Sequence, residues 1–226
     1  MARLARLVVP SFPHHITQRG NRRLPTFFDD DDYTLYKYLL SKAAGKAGSE
    51  IWCYCLMPNH VHIIIVPSHD DGLRGTFADA HRRYTGYINA RMRATGHLWQ
   101  GRFGSVVVNE EHLANAVRYV SLNPVRARLV DRAKDWNWSS VNAHLTGEDD
   151  GIKLRCQFTK CTNLRDHLLH KNHANHSPLH IANPESCATP QSTRWREPPP
   201  QAALPAPPAP LSASPSRCWS ACPLAD

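Results

Sequence analysis

Two strand-like runs, Glu50–Met57 and His60–Pro67, stand only Pro58 and Asn59 apart, and this spacing constrains the fold more than any other feature of the chain. A two-residue gap between runs of this kind predicts a hairpin, although Pro-Asn is not one of the favoured Asn-Gly turns. In a strand, residues two apart point to one face. His60 and His62 therefore project together, while Val61 and Ile63 project to the other side. Two imidazoles side by side are a ready half of a metal site. An isolated His-x-His is nonetheless more often a solvent-facing pair on a half-exposed strand.

The text around the hairpin supplies the rest of a small domain. Leu7–Val9 and His14–Gln18 read as strand, broken by Pro10 and Pro13, and Arg19-Gly-Asn-Arg-Arg23 reads as a loop. The acidic run Asp29–Asp32 opens a helix, because carboxylates favour the positive end of the helix dipole. Tyr33, Tyr36, Leu40, Ala43 and Ala44 recur at helical spacing, and Gly45 and Gly48 mark the end. A second helix runs from about Leu73 to Arg93 with Leu73, Phe77, Ala80, Tyr84 and Ile88 inward, and Gly96 ends it. Ser105–Val108 is a further short strand. Asn109-Glu110-Glu111 begins a third helix, an N-cap followed by acids, which is expected to stop at Asn123 before Pro124. The order β-α-β-β-α-β-α predicts an α+β fold, a ferredoxin-like split-βαβ antiparallel sheet with helices packed on one face.

The back of the 226-residue chain has another character. Twelve of the 18 prolines lie at or beyond Pro178, and Glu197–Pro215 is mostly Pro, Ala and Ser. Such text cannot bury enough apolar surface to offset the entropy of ordering it. One domain is expected over 1–150, followed at 151–226 by a divergent, largely disordered Pro/Ala-rich tail with the look of a frameshifted extension. The seven cysteines show no C-x-x-C spacing, so neither a disulfide framework nor a zinc site is indicated. No 18-residue apolar run predicts a membrane span, and Met1–Pro10 has no apolar stretch of a signal peptide. The default location is a reducing cytoplasm.

The formal charge is +8, and its informative part is local. Arg74, Arg82, Arg83, Arg91, Arg93 and Arg102 share their stretch with a single acid, Asp79, and with Tyr84, Tyr87, Trp99 and Phe103. This suits a polyanion with bases to stack on, and suits a solvated helix face equally well.

A second constellation lies in Arg118-Tyr119-Val-Ser-Leu-Asn123-Pro-Val. Tyr119 and Asn123 are four apart on a helix and so share a surface, flanking the stripe of Leu113, Ala116, Val117 and Val120. A helix packed on the sheet would let such flanking groups overhang the histidines. Tyr84 and Tyr87 also follow the histidines on a helix. Tyr84 falls mid-stripe, which favours packing, and no Asn stands four residues after either.

Taken together, Pro13-His-His-Ile-Thr-Gln-Arg-Gly-Asn21, Met57-Pro-Asn-His-Val-His62, Gly96-His-Leu-Trp-Gln-Gly-Arg-Phe103 and Arg118-Tyr-Val-Ser-Leu-Asn-Pro-Val-Arg126 make a pattern. Over roughly residues 3–145 the chain resembles the REP-associated tyrosine transposases, of the single-strand transposase superfamily named for its His-hydrophobic-His motif. The resemblance implies a metal-dependent transposase and endonuclease that cleaves and rejoins single-stranded DNA bearing hairpin-forming repeats. Tyr119 would be the nucleophile, through a 5′-phosphotyrosine link. His60, His62 and Asn123 would hold a divalent metal, Mg2+ or Mn2+. Arg19, Asn21, Arg22, Arg82, Arg83 and Arg102 would contact DNA, and Trp99 would stack on a base, although packing under a loop is the commoner fate of a lone Trp. Two rival readings are a catalytically degenerate member of the family and a non-catalytic nucleic-acid-binding module using the same sheet. An exposed edge strand would permit a homodimer.

Overall fold

The hairpin forms as the spacing requires. The computed structural model describes residues 6–152, and in it β2 (Ser49–Met57) and β3 (His60–Pro67) pair antiparallel with Met57 opposite His60. β1 (His14–Arg19) pairs antiparallel with the other side of β3, and β4 (Gly104–Val107) with the free side of β1. The resulting order is β2-β3-β1-β4. β1 and β2 are thus joined by a helix and separated by β3, which is the split-βαβ arrangement expected.

α1 (Asp30–Lys46) and α2 (Gly72–Met92) cover one face of this sheet. Ile16 of β1, Tyr54 and Leu56 of β2, and Val61, Ile63 and Ile65 of β3 pack with Tyr36, Leu40, Leu73, Phe77 and Tyr84. Asp29 caps α1 by accepting from Asp32 N at 2.9 Å, and the carboxylate of Asp32, fully buried, takes an ion pair from Arg91 of α2 at 2.7 Å. The two helices are thereby tied end to end.

Helices do not lie on one face alone. α3 (Glu110–Ser121) packs Val117 and Val120 against Cys53, Cys55, Met57 and Ile64, which project opposite to the first core. The sheet needs this second cover because β3 is apolar on both sides, Ile64 lying between Ile63 and Ile65. A register shift at Trp52 keeps Ile51 and Tyr54 in the first core and turns Cys53 and Cys55 to the second.

Other expectations shift locally. Leu7–Val9 is not a strand: Val9 N is satisfied by the His14 side chain at 3.1 Å, and Leu7 is exposed. α2 ends in a left-handed cap at Arg93 rather than at Gly96. α3 stops at Ser121, and Asn123 opens a separate short helix, α4 (Asn123–Arg126), whose first turn tolerates Pro124 because no amide is needed there. The segment leading to α5 (Val141–Thr146) covers the outer edge of β2, with Trp138 O accepting from Leu56 N at 2.8 Å and Ser140 N donating to Tyr54 O at 3.0 Å. β4 forms the other edge. Ile152 is buried in the first core. The expected tail, from residue 153 onward, lies outside the described residues.

Candidate active site

The register of β1 and β3 builds one surface. Arg19 lies opposite His60, Thr17 opposite His62 and His15 opposite Ile64, so these six side chains share the face on which α3 sits. The rings of His60 and His62 are 5.0 Å apart, and those of His62 and His15 lie near-parallel, 22° between planes, with centres 5.2 Å apart. Val117 and Val120 seat α3 on the sheet, and Tyr119, on the flank of that stripe, is only part-buried. Its ring meets His62 edge-on at 5.6 Å and His15 at 6.0 Å. The guanidinium of Arg126, one short helix later, lies 4.9 Å from the centre of the Tyr119 ring.

Burial dominates the electrostatics. It holds His60 down at about 4, helped by the positive charge of Arg19. His62 falls to about 2 through burial first and then the neighbouring His15, His60 and Arg19. Burial alone takes His15 to about 4. All three are therefore neutral imidazoles at neutral pH, the form that can donate a lone pair.

Whether these residues suit a divalent metal is decided by their free nitrogens. Asn59 donates through Nδ2 to Arg23 O at 3.0 Å, which fixes its amide and turns Oδ1 to His60 Nδ1 at 2.6 Å. His60 must then donate from Nδ1, and its Nε2 keeps a lone pair. His62 Nδ1 is likewise engaged, 3.0 Å from His15 Nε2, so its Nε2 is the nitrogen left over. Ligating histidines commonly tie the second nitrogen in this way. Among the described residues no group of three His, Cys, Asp or Glu side chains is gathered as a cage. The pair fits a cation only with an amide or water oxygen as further ligand, and Asn123, part-buried at the start of α4, is of the right chemical type.

The basic loop expected to meet DNA is built onto the hairpin turn. Gly20 N donates to Asn59 O at 2.8 Å, Thr26 N to Pro58 O at 2.9 Å, and Asn21 N to Leu98 O at 2.8 Å. Arg22 and Arg23, both at positive φ, are exposed beyond it, and Arg19 is exposed beside His60. Arg102 is exposed in the neighbouring loop, where Gln100 N donates to Arg19 O at 2.8 Å. Arg82 and Arg83 are not brought to this surface. They ride on α2, behind the sheet, at 3.1 and 3.9 Å from Asp79.

The stacking role expected of Trp99 is corrected. The ring is 7% exposed and its neighbours are Phe27, Tyr36, Tyr84 and His81, so no face is left for a base. Tyr84 is fully buried and donates to Thr26 O at 2.7 Å, the packing role its position predicted. Tyr54 is also buried in the first core.

Two residues of the site had no role assigned from sequence, His15 and Arg126. Strand alternation places His15 with Thr17 and Arg19, but only the pairing of β1 with β3 shows that this face is the histidine face.

Residues 9–123 match the family described as "Transposase IS200 like". The chain belongs to this family. The matched span of this transposase contains His15, Arg19, His60, His62, Tyr119 and Asn123 and ends before Arg126. It is 29% identical over 112 residues to a protein of Haemophilus influenzae assigned as a REP-associated tyrosine transposase. That match takes in 43% of this chain and 64% of the relative, so the chain spans less than two thirds of the relative's length. In fold the transposase is similar to a solved REP-associated tyrosine transposase bound to a REP hairpin, with a TM-score of 0.56 and 21% identity over 67% of this chain and 88% of that one. Among the described residues no helix is long and apolar enough to cross a membrane.

Proposed function

We propose that this transposase cleaves and rejoins single-stranded, hairpin-bearing DNA through a phosphotyrosine formed on Tyr119, with Mg2+ or Mn2+ held by His60, His62 and Asn123. The observation that carries this reading is the meeting of Tyr119 with His62, ring to ring at 5.6 Å, on a surface where both histidines keep an unengaged nitrogen. The solved relative in complex with a REP hairpin supports the choice of DNA.

The bound cation would neutralise charge on the scissile phosphate. Tyr119 Oη attacks the phosphorus. An Oη–P bond forms as the P–O3′ bond breaks, the phenol gives up its proton and the departing oxygen takes one up as a 3′-hydroxyl. One phosphoester replaces another, so an incoming 3′-hydroxyl can reverse the step and free Tyr119. Arg126 holds the nucleophile's ring and places a positive charge beside it. Arg19 shares this surface, and with Asn21, Arg22 and Arg102 of the adjoining loops it would steer the phosphate backbone toward the site. Arg82 and Arg83 could serve only a strand passing behind the sheet.

Incubation with single-stranded hairpin DNA and Mn2+, followed by a denaturing protein gel, tests the reading. A slower covalent band is expected, lost with EDTA and in Tyr119→Phe and His60→Ala. Survival of the band in Tyr119→Phe would assign the nucleophile elsewhere. DNA binding without any band would support the degenerate reading.

A further inference from the structure

We propose that His15 is a positioning residue that sets the tautomer of His62, accepting on Nε2 a hydrogen bond from His62 Nδ1–H so that His62 Nε2 is the lone-pair nitrogen. The assignment builds on His60 and His62 as metal ligands. Its basis is the 3.0 Å contact between the two ring nitrogens and the near-parallel planes of the rings, 22° apart, which let an N–H lie along the in-plane line between them.

A neutral imidazole has one N–H and one lone pair, and the partner of either nitrogen decides which is which. His62 is 7% exposed and His15 6%, so water is largely excluded as an alternative partner for His62 Nδ1. The opposite arrangement, His15 donating from Nε2, would put the proton of His62 on Nε2 and turn the ligand nitrogen into a donor. His60 reaches the required state through Asn59, whose amide is held by Arg23 O. His15 does for His62, from β1, what Asn59 does for His60 from the hairpin turn.

The chemistry of the partners matters as well. Second partners of ligating histidines are often carboxylates, which raise ligand basicity. Here both are neutral, an amide oxygen and an imidazole nitrogen. Neutral partners would add no negative charge to offset that of a bound cation. His15 is also within edge contact of Tyr119, so its removal would loosen two members of the site.

The full chain, labelled with 15N-histidine and kept in EDTA at pH 8, would be examined by long-range 1H–15N correlation. His62, assigned by its loss in His62→Gln, should show a protonated Nδ1 and an unprotonated Nε2. His15→Leu fills the space without an acceptor and should move His62 toward the Nε2–H form. His15→Gln, whose amide oxygen can accept, should restore the wild-type pattern. Titration calorimetry with Mn2+ should show affinity reduced about 10–100-fold in His15→Leu and recovered largely in His15→Gln. A wild-type His62 protonated on Nε2, or a His62 pattern unchanged in His15→Leu, overturns the assignment. The wild-type spectrum decides alone should His15→Leu fail to fold. Wild type that binds no Mn2+ but keeps the His15-dependent tautomer would retain the assignment for His62 and refute the ligand reading.

Discussion

Replacing Gly20 with alanine should damage this protein although the backbone there suits any residue. Gly20 sits at φ −62° and ψ 145°, so its conformation needs no glycine. What requires glycine is space. A Cβ at this position would overlap the carbonyl oxygen of Leu24 and lie 2.7 Å from Thr26 Cγ2 and 3.3 Å from Asn59 O. Two of those atoms are backbone, so relief requires the basic loop to move away from the Pro58-Asn59 turn. Overpacking of this kind costs ~1–3 kcal/mol, against ~0.4–1 kcal/mol gained from a stiffer unfolded chain. The net loss of roughly 1–2 kcal/mol corresponds to a melting temperature lower by about 2–8 °C for a domain of this size. Gly86→Ala is the matched control. It lies within α2 with nothing inside 4 Å of an added Cβ, and should gain ~1 kcal/mol from helix propensity. Circular-dichroism melts of the three proteins read the sign directly. Covalent DNA attachment should fall further than stability in Gly20→Ala, because Gly20 N holds the carbonyl of Asn59, the residue that orients His60. A Gly20→Ala protein that melts at or above the wild-type temperature would refute the argument from close approach.

Trp99→Phe should lower stability by about 1–2 kcal/mol through lost packing, with no hydrogen bond forfeited since Nε1 has none. Its hairpin affinity in a gel shift should stay within about twofold of wild type, whereas weakened binding at intact stability would reinstate base stacking. His81, packed against Tyr36 and Trp99, is held at about 3 by burial, below the 6.5 of an unfolded histidine. Its contribution is complete above pH 6.5 and is lost as pH falls toward 3, at up to ~1.4 kcal/mol per pH unit. Urea melts at pH 7, 6 and 5 should show a shallower loss in His81→Gln, and an unchanged slope would clear His81. Arg126→Ala should slow formation of the covalent DNA adduct by roughly two- to fivefold, from the ~0.5–1 kcal/mol of an exposed cation–π contact, and leave Mn2+ binding unchanged. An unaffected rate would deny Arg126 any part in holding Tyr119.

Periodicity made much of this molecule legible. The stripes of α1 and α2 and the alternation of His60 and His62 each follow from spacing along one element, and the structure keeps them. That α3 covers the face opposite α1 and α2 did not follow, because an apolar stripe requires burial without stating against which face. The three consecutive isoleucines 63–65 carried the missing signal, since a strand apolar on both sides needs two covers. Trp99 lies in a basic, aromatic stretch that invites a surface role, yet its loop folds under toward Phe27 and Tyr84. His15 depended on knowing which strand borders β3, a long-range pairing that local pattern does not encode. Leu7–Val9 has strand-like residues but pairs with no strand.

The layer between α3 and the sheet contains two free thiols. Cys53 and Cys55 are fully buried beneath Val117 and Val120, and burial pushes the Cys53 thiol up to about 11. Such groups are inert while covered and ordinary once wetted. The protein thus carries its own gauge of the helix that bears Tyr119: alkylation at either position, located by peptide mass, counts how often α3 leaves the sheet.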